Sequence, residues 1–172
     1  MDIRIDESGI LDAQLLAQLG AQTFYDAFAS FNKEEDMDDY MNTSFSEQRI
    51  AEEMIVPGAV FYIAYKDDKA IGFAKTGQKE PPAEIAENTC RELERIYVLK
   101  EYQSMKAGEK LLNHCIAKAK EDGLEVLWLG VWEHNNRAVS FYQRLGFERL
   151  GQHTFMLGSD AQTDWLFKLK LR

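Results

Sequence analysis

The period of apolar and polar positions changes along this chain, and the changes mark its elements. After a short strand-like opening at "DIRIDE", Leu15, Leu16, Leu19, Phe24, Phe28 and Phe31 recur at helical spacing and predict a first helix over 11–31. A second helix is expected over "NKEEDMDDYMN", with Asn32 as its N-cap and acids in its first turn. A third opens on the cap residue Ser46 in "SEQRIAEEMI" and ends near Pro57. The period then becomes two. "AVFYIAYKDDKAIGFAKTG" alternates, is rich in β-branched and aromatic residues, and turns at Asp67-Asp68, the pattern of a β-hairpin.

Beyond the hairpin, "PPAEIAEN" reads as a loop and "CRELERIYVL" as a strand. A helix over about 106–121 places Leu111, Leu112, Cys115, Ile116 and Ala119 on one face. "EVLWLGVW" is nearly all apolar, which suits a strand covered on both faces, as in a parallel pair. Asn135–Leu145 forms another helix, with Gly146 just past its end. Strands "FERLGQHTFML" and "DWLFKLKL" flank a turn at "GSDAQT". Strand 91–99, helix 106–121 and strand 125–131 make a right-handed βαβ unit, and the other strands are antiparallel. The expected fold class is therefore α/β with a mixed, mostly antiparallel sheet, in one domain over 1–172.

Composition narrows the function classes. At 172 residues and 45% hydrophobic content the chain can bury a full core. No apolar run approaches the roughly 18 residues of a membrane span. The acidic opening "MDIRIDESGILDAQLL" lacks the pattern of a secretory signal, and the two cysteines, Cys90 and Cys115, form no metal motif. A reduced, cytoplasmic protein without a metal is the expectation. A net charge of −9 argues against nucleic acid and favours a small cationic partner.

Two segments carry candidate chemistry. The turn "QSMKAGE" runs from a strand end into a helix start, where unpaired N–H groups and the helix dipole can hold an anion. It has neither the GxxxxGK[ST] nor the GxGxxG pattern, so an ordinary helix start is the alternative. The second segment is "WEHNNRAVSFYQRLGF". Ala138, Phe141, Tyr142 and Leu145 share one helical face there, and Tyr142 adds a polar end to it.

Together, the strand "LERIYV", Q-x-x-x-x-G at 103–108 and N-x-x-A-x-x-x-Y-x-x-x-G-F at 135–147 resemble the GNAT superfamily of acetyl-CoA-dependent N-acetyltransferases. The early "TFYDAF" and the ending "GSDAQTDWLFKLKL" are similar to its PaiA-type spermidine/spermine acetyltransferases. The resemblance implies a domain whose parallel strands splay around acetyl-CoA. Backbone groups of Ile96, Tyr97 and Val98 would pair with the pantetheine arm, and Asn135 would touch it. The pyrophosphate would rest on Gln103, Ser104, Met105, Lys106, Ala107, Gly108 and Glu109. Tyr142 would be the general acid at the sulfur and Glu94 the general base through water, with Glu92 as the alternative base. Phe24, Tyr25 and Phe31 would line an amine channel rimmed by "EEDMDD".

The acceptor implied is a small cationic amine, a polyamine first. A protein N-terminus or lysine, and a non-catalytic acetyl-CoA-binding module, are the alternatives. Homodimers are common in the family. One departure stands out, because Lys106 occupies a position where the family carries glycine. A helical backbone is expected at Lys106, with its cation turned toward phosphate.

Overall fold

In the computed structural model, which describes residues 2–172, the alternating segments become seven strands. They are β1 (Arg4–Glu7), β2 (Val60–Lys66), β3 (Lys69–Gly77), β4 (Cys90–Val98), β5 (Val126–Trp132), β6 (Glu148–Leu157) and β7 (Asp160–Lys170). The helices are α1 (Ala13–Phe28), α2 (Glu34–Ser44), α3 (Glu47–Met54), α4 (Ala107–Glu121) and α5 (Asn136–Arg144). The sheet order is β1-β2-β3-β4-β5-β7-β6, and only the β4–β5 pair is parallel. The mixed α/β sheet expected from the sequence is thus the one observed.

The period-two strands give the sheet two apolar faces. On one, Phe61, Ile63 and Phe73 meet Leu16 and Phe24 of α1, Met37 of α2 and Ile50 of α3. On the other, Leu127, Leu129 and Phe167 meet Leu111, Leu112 and Cys115 of α4, with Val139 and Tyr142 of α5. Each large side chain buried in this way contributes about 1.5–3 kcal/mol. A satellite cluster forms where Ile85, in the loop after β3, packs on Val126, Trp128 and Leu166. Among the described residues, no helix is long and apolar enough to cross a membrane.

Local chemistry corrects three expectations. The first helix is α-helical only over Ala13–Phe28 and is flanked by 3-10 turns at Ile10–Asp12 and Ala29–Phe31. Asn32 does not cap the second helix. Its Nδ2 donates to Phe28 O at 2.9 Å and closes the preceding turn, which leaves Lys33 at the cap position without a side-chain bond. The last hairpin turns on Gly158-Ser159 alone, with Gly158 at φ 59°, and β7 begins at Asp160 rather than after Thr163.

One irregularity organises the centre of the sheet. Parallel pairing covers only Cys90↔Val126, Arg91↔Leu127 and Glu92↔Trp128. On the other edge of β4 the register jumps from Thr76↔Leu93 to Lys75↔Arg95, so Glu94 is the extra residue of a β-bulge. The bulge bends β4 away from β5, and from there to Val98 it pairs with β3 alone.

Candidate active site

The gap left between β4 and β5 has a polar edge. Leu99 N–H donates to Ile71 O, so the alternation of an antiparallel pair turns Ile96 and Val98 backbone groups toward the gap and those of Tyr97 toward β3. The Val98 carbonyl confirms the direction, because it accepts from Gln103 Nε2 at 3.2 Å. Ile96 and Val98 therefore offer donors and acceptors to an extended ligand, and Tyr97 offers its ring.

Above this edge stands the N-terminus of α4. Residues Lys100–Met105 are wound as 3-10 helix, and Lys106 then breaks the winding at φ 60° and ψ 22°. The helical backbone expected at Lys106 is not found: the chain must reverse between two helical segments, and the left-handed conformation does it. The strain for a non-glycine residue is about 1–2 kcal/mol. The first α-helical bond is Lys110 N to Lys106 O, and no side chain caps the end, so the N–H groups of Ala107, Gly108 and Glu109 have no helical acceptor. A Cβ built on Gly108 would meet nothing closer than Phe141 Cζ at 3.8 Å, which leaves room for a ligand to approach these donors. Lys100, Lys106, Arg137 and Arg144 wall the same cavity, so an acidic chain concentrates cations where a polyanion would lie. Arg137 also donates to Gln103 Oε1 at 2.6 Å and ties α5 to the turn. The donor set fits the pyrophosphate of coenzyme A.

Tyr142 reaches this cavity from α5. Its ring packs on Phe141 and Phe147 with centroids 5.3 and 5.6 Å away, and only 7% of the residue is exposed. Burial raises its phenol well above the ordinary tyrosine value, so it stays protonated and able to donate. Asn135 caps α5 by accepting from Ala138 N at 3.2 Å, and it also lines the cavity.

The strand acids lie in a buried ion network. Lys75 Nζ contacts Glu94 and lies 3.3 Å from Glu53. Arg95 grips Glu53 with two bonds of 2.7 and 3.1 Å. Burial alone would raise Glu53, but the Arg95 hydrogen bonds outweigh it and hold the carboxyl below its usual range. Burial raises Glu92, whose partner Lys79 is 3.5 Å away.

The main cavity, about 1160 Å³, is walled by Phe24, Phe28, Tyr97, Trp132 and Tyr142. Phe24 stacks on Tyr40 at 4.4 Å. Tyr25 is 49% exposed and Phe31 63% exposed, and both lie outside its wall. The acids of α2 lie outside it too, and Asp36 instead accepts from Ser159 N and Oγ at the tip of the last hairpin. A second cavity of about 810 Å³ opens on the α3 side and shares Tyr40, Glu94, Arg95, Gly130, Phe155 and Asp164 with the first. Sequence reasoning missed Gly130, Trp132, Arg137 and Asp164. An Arg two residues into a helix carries some signal for an anion, whereas an acid that reads from the sequence as a strand start carries none.

Residues 21–147 match the Acetyltransferase (GNAT) family. An uncharacterized N-acetyltransferase of Lactobacillus delbrueckii subsp. lactis is 36% identical over 153 residues, covering 89% of this chain and 88% of that protein. A spermidine N(1)-acetyltransferase of Thermoplasma acidophilum is 26% identical over 86% of this chain and 89% of its own length. The crystal structure of the PaiA N-acetyltransferase from Thermoplasma acidophilum in complex with coenzyme A superposes with a TM-score of 0.79 over 99% of both chains, at 23% identity, a likeness of fold. The chain belongs to the acetyltransferase (GNAT) family and is an N-acetyltransferase.

Proposed function

We propose that the chain transfers the acetyl group of acetyl-CoA to a primary amine, with a polyamine such as spermidine or spermine as the first candidate acceptor. The observation that carries this reading is the gap between β4 and β5, with unpaired amides of α4 at one end and the Tyr142 phenol in its wall. The pyrophosphate would be held by the N–H groups of Ala107, Gly108 and Glu109, with Lys106 and Arg137 beside them. The pantetheine would complete β4 along Ile96 and Val98, and one of these N–H groups would polarise the acetyl carbonyl. When bound, acetyl-CoA supplies an activated thioester. Tyr142 donates its proton to the leaving sulfur.

The polyamine choice is supported by the spermidine acetyltransferase among the relatives and by acids at the meeting point of the two cavities. Of the two strand acids named from the sequence, Glu94 borders both cavities and Glu92 only the second. Lys75 pairs with Glu94, which offsets its charge and leaves it better suited to ordering a water than to attracting an ammonium group.

The test is thiol release from acetyl-CoA with spermidine, spermine, an N-terminally free peptide and a lysine peptide as acceptors. Turnover is expected, with the polyamines giving the highest kcat/KM. Peptides preferred over polyamines would replace the acceptor class, and coenzyme A protecting the fold without turnover on any amine would overturn the enzyme reading of this site.

A further inference from the structure

The acetyl-transfer reading needs a group that removes a proton from the acceptor, since a primary amine of pKa about 10 is cationic at neutral pH. Of the two acids that border both cavities, Glu94 is neutralised by Lys75. The other is Asp164. It lies in β7 opposite Trp132 of β5 and His153 of β6, its side chain is 14% exposed, and no lysine or arginine pairs with it among the described residues. His153 faces it, with Nε2 4.0 Å from Oδ2.

Gly130 explains why the two groups reach the cleft. A Cβ at Gly130 would lie 3.3 Å from Asp164 Oδ2 and 3.5 Å from His153 Nε2. Carboxylate and imidazole, from adjacent strands, thus converge on the space that the missing side chain leaves open. That space lies where the two cavities meet.

We propose that Asp164 is the base that takes the proton from the acceptor amine, and that His153 carries it on to solvent. The ammonium gives one proton to Asp164, and its lone pair forms the C–N bond as the thioester C–S bond breaks. Sulfur takes the Tyr142 proton, and the second nitrogen proton restores the phenol. The Asp164 proton crosses the 4.0 Å to His153 through one water and leaves from that half-exposed imidazole, so one proton is released per turnover.

The surroundings suit this role. Burial pushes the Asp164 carboxyl up to about 6, which makes it a stronger base than a surface aspartate. Burial, with Lys79 nearby, lowers His153, so it is neutral at pH 7 and free to accept. Tyr40 from α2 and Tyr97 from β4 lie close enough to feel the Asp164 charge, and Glu94 and Arg95 of β4 line both cavities with it. Burial holds both tyrosines protonated, Lys75 occupies Glu94 and Glu53 occupies Arg95, so none of them neutralises the carboxylate.

This inference rests on the acetyl-transfer reading, and the experiment separates the two. The pH profile of kcat/KM for spermidine is measured for wild type, Asp164→Asn, Asp164→Glu, Glu94→Gln and His153→Gln, with coenzyme A binding followed by thermal shift. Wild type should lose activity below about pH 6. Asp164→Asn should lose about 100-fold in kcat/KM and the acid limb with it, while coenzyme A still binds. Asp164→Glu should recover part of the rate with a displaced limb, and His153→Gln should slow turnover several-fold. Asp164→Asn with full activity and an intact acid limb overturns the assignment, as does transfer of the whole effect to Glu94→Gln. Absence of turnover in wild type, a different result, would remove the acetyl-transfer reading and this role with it.

Discussion

Lys75 stands between Glu53 and Glu94, in contact with the second and 3.3 Å from the first, with its own side chain only 10% exposed. One ammonium therefore screens two carboxylates from two different elements, α3 and β4. Lys75→Met should destabilise the fold by about 3 kcal/mol at pH 7, because Glu94 is left without its cation while Glu53 keeps Arg95. Urea unfolding at pH 7 tests this, and a loss that an added Glu94→Gln does not relieve would point to packing instead.

The left-handed Lys106 gives a second expectation. Lys106→Gly relieves backbone strain but loosens the unfolded chain, for a net gain of about 0.5–1 kcal/mol. Thermal protection by coenzyme A should fall at the same time, because the loop loses a cation. A variant that is less stable than wild type would mean the lysine side chain contributes more than the conformation costs.

Tyr142→Phe keeps the ring in its pocket between Phe141 and Phe147 and removes only the hydroxyl. The expected result is a fall in kcat of about 100-fold or more with the KM for acetyl-CoA little changed. Stopped-flow thiol detection resolves the two. Retention of kcat within a few-fold would reduce Tyr142 to a wall of the cavity.

The sheet was legible in the sequence because strand period, hairpin turn and helix faces are local patterns. The β2–β3 turn is an example: Asp67 and Asp68 both adopt positive φ, 50° and 64°, as the turn signal required. The bulge at Glu94 was not legible, since an extra residue exists only relative to a partner strand. The Lys106 conformation was hidden for a related reason: a lysine has no preference for it, and the surrounding helices impose it. Asp164 reads as the polar start of an apolar strand. Its importance comes from Gly130 and His153 on neighbouring strands, 34 and 11 positions away in the chain.

Asp164 should also weaken the fold that holds it. Its folded-state pKa of about 6 lies above the ordinary 3.8, so the folded chain binds the proton more tightly than the unfolded chain. Stability is then lost as pH rises from about 4 through 6, by up to about 3 kcal/mol. Asp164→Asn should melt higher than wild type at pH 7 and no higher at pH 4. Calorimetry at the two values decides, and an equal gain at both would assign the effect to something other than ionisation.

Asp36 makes the opposite prediction. Hydrogen bonds from the Ser159 backbone and hydroxyl lower its pKa, so its contribution is present above the ordinary carboxylate range and is lost as pH falls through the lowered value. Asp36→Ala should speed amide exchange at Ser159 and along the hairpin tip at neutral pH. Unchanged exchange would show that the Gln162–Asn32 bond of 2.6 Å is enough to hold the hairpin.

The three residue pairs that join β4 to β5 make the sheet two plates on a short hinge, with β1–β4 on one side and β5–β7 on the other. The separation of Ile96 from Val131 is then set by the angle at Cys90–Glu92 and Val126–Trp128, where no ligand contact is expected. Small changes in packing beneath that hinge, at Ile85 or Leu166, translate into changes of aperture several residues away. A molecule laid along the open edge would act as a wedge and a splint at once. It would set the angle between the plates and supply the hydrogen bonds they do not make to each other.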